Sequence, residues 1–522
     1  MNRVRHVLAA AVGLAVCAAA VGVNATGSSN VYRDLELLGQ SLSIVRDAYV
    51  DPVDVSVLVD YALRSMVESL DQHSTYLDSE DLEAVRQEAE GTFGGVGVVV
   101  ASRGGFITVV APLEGSPSAE AGLRPADVIV EIDGQTTQAL PLRRAVALMR
   151  GSPGSWVELT LRRKGFSDDL VLRIQRRMIT IPTVPYSFTL RGPDNRRYGY
   201  VRLASFTTTA VEQSRDALQR SVKEGCAGII LDLRANPGGL LDKAVGVADL
   251  LFAEGVPICY TIGRQGSQRT DHASVTPGID SLPVVALVEE GTASGSEIVA
   301  GALQENRRGI VVGRPTFGKG TVQEIRELGD GNAVKITTAR WFTPHGYCID
   351  RELGGVDTTR LAPTTPPRVG VVPNILVEEP TPAFLEAELA DALPVAWMDS
   401  VARVVHPPRG PTELQVDDSL LRTAGTWLAH NSPLAASNPD SAAALASALR
   451  DGHPAARQFF GAELARRWWP DSGASKYLAA TDTLVHVALA FLADPVRYEA
   501  ALDLRADVRP DTLAHLAYDE SE

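Results

Sequence analysis

Residues Val285–Gln323 read as an apolar strand, a turn of small residues, a helix, a second strand and a glycine-flanked loop. The turn, Gly291-Thr292-Ala293-Ser294-Gly295, sets a serine where a strand gives way to a helix. The first N–H groups of a helix have no intrahelical partner, so a hydroxyl here sits beside donors suited to an anion. The loop Phe317-Gly318-Lys319-Gly320 follows the strand Gly309–Val312, and two neighbouring strands would bring both ends of the segment together. No histidine lies between Ser294 and Lys319. A serine needs a base to attack a carbonyl. A lysine serves only when its amine is neutral, which requires burial to draw its pKa from about 10.4 towards 7–8, a shift of about 4 kcal/mol. The competing reading is structural: a helix N-cap serine and a solvated loop lysine. Singly each residue fits that reading better; together, in this strand–turn–helix–strand–loop setting, they favour catalysis.

The stretch resembles the carboxyl-terminal processing (tail-specific) serine proteases, marked by G-[ST]-A-S-x-S-E followed by F-G-K-G-x-x-Q, here Gly291–Glu297 and Phe317–Gln323. The resemblance implies Ser294 as nucleophile and Lys319, 25 residues on, as general base. It assigns Gln323 to orienting the lysine and Glu297 to an auxiliary acidic position. Ser296 is the competing serine, and both the pattern and the turn position favour Ser294. The turn Ala235-Asn236-Pro237-Gly238-Gly239, closing a buried strand at Gly228–Arg234, is similar to the family's D-L-R-x-N-x-G-G. By that likeness the Gly239 and Gly295 amides form the oxyanion hole, although an ordinary strand-to-helix turn carries nearly equal weight for the glycines.

Gly91–Met178 reads as a small β-rich module, similar to a circularly permuted, bacterial-type PDZ domain. Its Gly-rich entry, its Gly122-Leu123-x-x-Ala126-Asp127-x-Ile129 stretch and its Arg150-Gly151-Ser152-Pro153-Gly154 turn carry the likeness. Gly95, Val96, Gly97 and Val98 would present amides to a peptide carboxylate and add the peptide as a strand. Val98, Val146 and Met149 are candidates for the pocket taking its last side chain, with core packing as the alternative.

The fold class expected is a multidomain α/β protein. Residues 1–25 form a signal peptide or anchor, 31–90 a helical segment, 91–178 the PDZ domain and 179–379 an α/β peptidase core of ClpP/crotonase-like type. Residues 380–522 form a helical domain of unknown role. The start Met-Asn-Arg-Val-Arg-His followed by an apolar run of 17 residues, Val7–Val23, is an export pattern at the lower limit for a spanning helix. It points to a periplasmic or membrane-associated protein facing away from the cytoplasm. Membrane tethering through this segment and homo-oligomerisation stay open. Leu14-Ala15-Val16-Cys17 is a poor lipoprotein signal because Val16 is bulky.

Net charge of −15 argues against nucleic acid as a partner. No Cys/His cluster has metal-ligand spacing, and neither a metal nor an organic cofactor is expected. A Cys259–Cys348 bridge stays open. His73, in Leu70-Asp71-Gln72-His73-Ser74-Thr75-Tyr76-Leu77, reads as a turn residue rather than a base. About twenty extra residues, Asp350–Arg368, depart from the family pattern and read as a surface loop. The expected activity is endoproteolysis of proteins captured by their C-terminal tails. The alternative is a catalytically silent, PDZ-containing peptide-binding scaffold. A trypsin-like enzyme is excluded because G-[ND]-S-G-G is absent from the sequence.

Overall fold

The computed structural model describes residues 31–504 apart from short breaks, the longer ones being 275–278, 352–368 and 378–388. The expected export segment with Cys17, most of the Thr/Pro-rich insertion and most of residues 383–393 in the expected helical region lie outside the described residues. The chain divides into two compact units, residues 1–82 with 323–337 and residues 83–322 with 338–522.

In the first unit, residues 31–48 are helical, and a second helix, Val55–Glu68, starts where the Asp54 carboxylate accepts from Ser56 N. The strand Thr75–Leu77 pairs antiparallel with the beginning of the strand Ala333–Phe342, Thr75 facing Lys335. Asp71 Oδ1 accepts from both His73 N and Ser74 N at 2.8 Å, so His73 belongs to a side-chain-capped turn. The apolar side chains spaced along these helices are largely exposed: Leu35 is 58% accessible, Tyr61 68% and Leu70 60%. Periodicity sets which side chains share a face, but burying that face needs a partner element.

The second unit holds a PDZ-like sheet and a three-layer α/β core. The PDZ sheet is antiparallel, in the order Val98–Arg103, Phe106–Pro112, Val128–Ile132, Trp156–Arg162, Leu170–Gln175. Alternate side chains Ile107, Ile129, Leu159 and Leu161 are buried with Ala145 and Met149 of the helix Leu142–Met149. Among the described residues the strand Val98–Arg103 lies at the sheet's edge, with one side unpaired.

The core sheet runs Tyr186–Arg191, Arg197–Arg202, Ile229–Asp232, Val284–Val288, Gly309–Gly313, Ile375–Leu376; the first pair is antiparallel and the rest parallel. Parallel strands need both faces covered, and here the period-two alternation separates two sets of side chains. Ile229, Leu231, Val284, Ala286, Val288 and Val311 pack on one face against the helices Ala210–Lys223, Leu241–Asp249 and Gly295–Glu305. Ile230, Val285, Leu287, Ile310 and Val312 face the other way, onto Leu484, Val485, Ala488, Leu489 and Leu492. Those residues lie on the helix Thr483–Ala493, so part of the C-terminal stretch completes the core sandwich. The remainder of that stretch forms a helical cluster around Phe460, Leu421 and Leu445, with Trp397 stacked on Trp427 at 5.1 Å.

Candidate active site

The strand Val284–Val288 ends in the turn that carries Ser294, and the helix Gly295–Glu305 begins directly after it. Ser294 has φ 53° and ψ −114°, a left-handed conformation that costs a non-glycine residue about 1–3 kcal/mol and persists only when its surroundings over-determine it. The surroundings do so here. Thr292 Oγ1 donates to Leu233 O and accepts from Glu289 N, both at 3.0 Å. Ala293 N and Ser296 Oγ both donate to Asn236 O at 3.0 Å. Ser296 is fully buried and committed to that bond, whereas Ser294 is half-buried at the turn's outer side.

Glu297 ties the serine turn to the lysine loop. Its Oε2 accepts from Ser294 N at 2.7 Å and from Lys319 N at 2.9 Å; its Oε1 accepts from Gly318 N at 2.7 Å and Thr316 Oγ1 at 2.5 Å. The carboxylate is fully buried. Burial pushes its pKa up to about 7, against the lowering pull of those four hydrogen bonds. The loop has further anchors in Phe317 N on Thr292 O at 2.9 Å, Trp341 Nε1 on Lys319 O at 3.0 Å and Trp341 N on Gly320 O at 2.9 Å. Gly320 is required by closeness: a Cβ there would lie 2.7 Å from Asp350 Cβ. Lys319 itself is half-buried.

The turn after Ile229–Asp232 closes the other side. Asn236 is fully buried; its Nδ2 donates to Leu203 O and its Oδ1 accepts from Gly238 N, both at 2.9 Å. Gly238, at φ 100°, packs so tightly that a Cβ would lie 2.7 Å from Ser294 Cβ and 3.0 Å from Gly295 N. Its own amide is consumed by Asn236. The Gly239 and Gly295 amides, by contrast, have no hydrogen-bond partner among the described residues. Two open N–H groups thus flank the serine.

Gln323 belongs to the first unit, where its Nε2 donates to Thr337 Oγ1 at 3.2 Å. In the PDZ module, Gly95 forms a bridge with Arg150, and Gly97 has φ 74°. The bridge turns the Val96 amide to Met149 O, whereas among the described residues the Gly97 amide has no partner; Gly97 O accepts from Ser116 Oγ, Ser118 Oγ and Leu113 N. Val98 and Val146 are half-buried at the rim of the module's core; Val96 and Met149 are inside it. Cys259 and Cys348 are buried free thiols. Among the described residues no three His, Cys, Asp or Glu side chains are close enough to hold a metal ion.

Residue-by-residue reading missed the organisers of this site: Asn236, Thr316, Trp341 and Thr292. The Asn-Pro-Gly-Gly turn was the one local signal for Asn236. Nothing in sequence brings Trp341 to the lysine loop, since that contact depends on strand pairing.

A serine set in a strained turn, flanked by open amides and joined to a PDZ module, defines a serine-type peptidase. Residues 197–360 match peptidase family S41 and residues 108–163 match a PDZ domain. The chain is 35% identical over 371 residues to the carboxy-terminal-processing protease of Bartonella bacilliformis, covering 70% of this chain and 79% of that one. It is 35% identical to the carboxy-terminal processing protease CtpA of Bacillus subtilis, covering 65% and 73%. A solved photosystem II D1 C-terminal processing protease is 31% identical over 63% of this chain and 84% of its own, with a TM-score of 0.41. The chain belongs to the carboxy-terminal processing proteases of peptidase family S41.

Proposed function

We propose that this enzyme cleaves proteins with a Ser294–Lys319 pair after its PDZ module has captured their C-terminal tails. Neutral Lys319 takes the Ser294 proton, Ser294 attacks the scissile carbonyl, and the Gly239 and Gly295 amides hold the oxyanion. Lys319 then returns the proton to the leaving amine, and water releases the acyl-enzyme. The observation that carries the reading is the shared carboxylate: Glu297 Oε2 receives both Ser294 N and Lys319 N, which keeps the two backbones a few ångströms apart. Glu297 acts as the staple of this pair rather than as a proton carrier.

Tail capture is supported by the unpaired edge of Val98–Arg103 and by the open Gly97 amide at its start. An extended peptide would lie between that edge and the helix Leu142–Met149, with Val98 and Val146 meeting its last side chain. The basic start and apolar run over residues 7–23 support export, with the peptidase facing away from the cytoplasm.

The test is product analysis by mass spectrometry on an unstructured protein with an apolar C-terminus, comparing the active enzyme with Ser294→Ala. Internal cleavage products that need both Ser294 and the substrate's free C-terminus support the reading. Cleavage by Ser294→Ala refutes the assignment of the nucleophile.

A further inference from the structure

The oxyanion turn is entered through Arg234, and Arg234 is gripped from beyond the sheet by the C-terminal helices. Asp232, at the end of its strand, is 1% exposed. Its Oδ1 accepts from Arg202 Nη1 at 2.7 Å and from Arg234 Nε and N at 3.0 Å; its Oδ2 accepts from the Tyr200 hydroxyl at 2.6 Å and Arg234 Nη2 at 2.7 Å. Two guanidiniums on one buried carboxylate leave an excess positive charge in a poorly hydrated place. Asp482 balances it, its Oδ2 lying 2.7 Å from Arg234 Nη1 with both side chains 17% exposed. The other Asp482 oxygen caps the helix Thr483–Ala493 by accepting from Val485 N at 3.0 Å. Asp482 stands at the 66° corner between that helix and Gly473–Thr481.

Directly after Arg234 comes Ala235 with φ 47°, like Ser294 a non-glycine residue in the left-handed region. Such a conformation holds only where its neighbours are fixed. On its two sides the anchors are the Arg234 side chain and the buried Asn236 amide, and two residues further on Gly238 abuts Ser294. A mechanical line therefore runs from the C-terminal helices to the nucleophile: Asp482, Arg234, Ala235, Asn236, Gly238.

We propose that Asp482 is a positioning residue for the oxyanion turn, acting through Arg234 to hold the Gly239 amide in place beside Ser294. The C-terminal helices are then a working part of the peptidase rather than an appendage. The inference rests on the reading of Gly239 as an oxyanion donor; Asp482 itself touches no reacting atom.

Steady-state cleavage of a peptide with an apolar C-terminus tests it in the full-length enzyme, alongside thermal melting. Asp482→Asn keeps the helix cap and removes the charge facing Arg234; Asp482→Ser caps as well and is too short to reach. Both lower kcat roughly tenfold with KM little changed and also lower Tm, since Arg234 keeps its charge with one partner removed, and Asp482→Glu recovers most of the rate. Leu489→Ala, which loosens the same helix inside its packing, lowers Tm and leaves kcat unchanged well below the melt. Wild-type kcat in Asp482→Asn and Asp482→Ser overturns the inference, as does a kcat loss that follows Tm equally in Leu489→Ala. Ser294→Ala in the same assay separates the two levels. If it still turns over, the active-site reading falls and this inference with it; if it is dead while both Asp482 variants are normal, this inference alone falls.

Discussion

Ser294 and Lys319 donate their backbone N–H groups to one oxygen atom, Glu297 Oε2, at 2.7 and 2.9 Å. The serine turn and the lysine loop, with Ser294 and Lys319 25 residues apart in sequence, are clamped at a single buried carboxylate. The helix that starts at Gly295 supplies the clamp from its first turn, where a carboxylate is also favoured by the unpaired N–H groups.

The two serines of the motif are expected to have different fates with a serine-reactive probe. Ser296 is buried and bonded to Asn236 O, so the proposed mechanism predicts that a serine-reactive phosphonate labels Ser294. Peptide mapping of the labelled protein should find the adduct on Ser294, lose it in Ser294→Ala and retain it in Ser296→Ala.

Gly239 has φ 148°, and a Cβ there would lie 2.4 Å from Phe206 O. Gly239→Ala therefore shifts the turn and withdraws one of the two amides. Loss of such a donor lowers kcat about 100–1,000-fold. Initial-rate kinetics should show that fall with KM nearly unchanged, because tail capture happens elsewhere.

The Glu297 carboxyl titrates at about 7 in the folded protein against an ordinary value of 4.5. A raised pKa means that the folded state holds the proton more tightly than the unfolded chain, so this group's contribution to stability is greatest below 4.5 and is lost as pH rises through about 7. Glu297→Gln has no such titration. Thermal melts of the two proteins from pH 4.5 to 8 should show wild type losing ground relative to the variant up to about pH 7, then a constant difference. Turnover moves oppositely, since the ionised carboxylate is the better acceptor for four donors; Glu297→Gln lowers kcat.

In the proposed mode of tail capture, a free terminal carboxylate lies opposite the Gly97 amide at the start of the edge strand. Amidating a substrate peptide's C-terminus should weaken its binding to Ser294→Ala about tenfold or more, roughly 1.4 kcal/mol, in a fluorescence titration. Val146→Asp should weaken peptides with an apolar last residue in the same assay.

Sequence made the core readable wherever chemistry is local. The Ser294 turn, the Gly-Gly turn at 238–239, the buried strands around Ile229 and Val285 and the PDZ module each announce themselves within a few residues. Contacts across long stretches of chain were not readable. Helical periodicity at Thr483–Ala493 says nothing about which sheet its apolar face will meet, and Asp482 looks like any helix cap until Arg234 is seen beside it. The exposed stripe at Leu35 and Leu38 shows the same limit in reverse, an apolar face without a cover among the described residues of its unit.

In the proposed mechanism the Lys319 amine is the base for Ser294. Turnover of Lys319→Ala, with Glu297 still bound by the variant's backbone amide, tests it most directly. The expected result is a folded protein with wild-type peptide affinity and a kcat lowered by about 10⁴ or more. Undiminished cleavage by Lys319→Ala contradicts it.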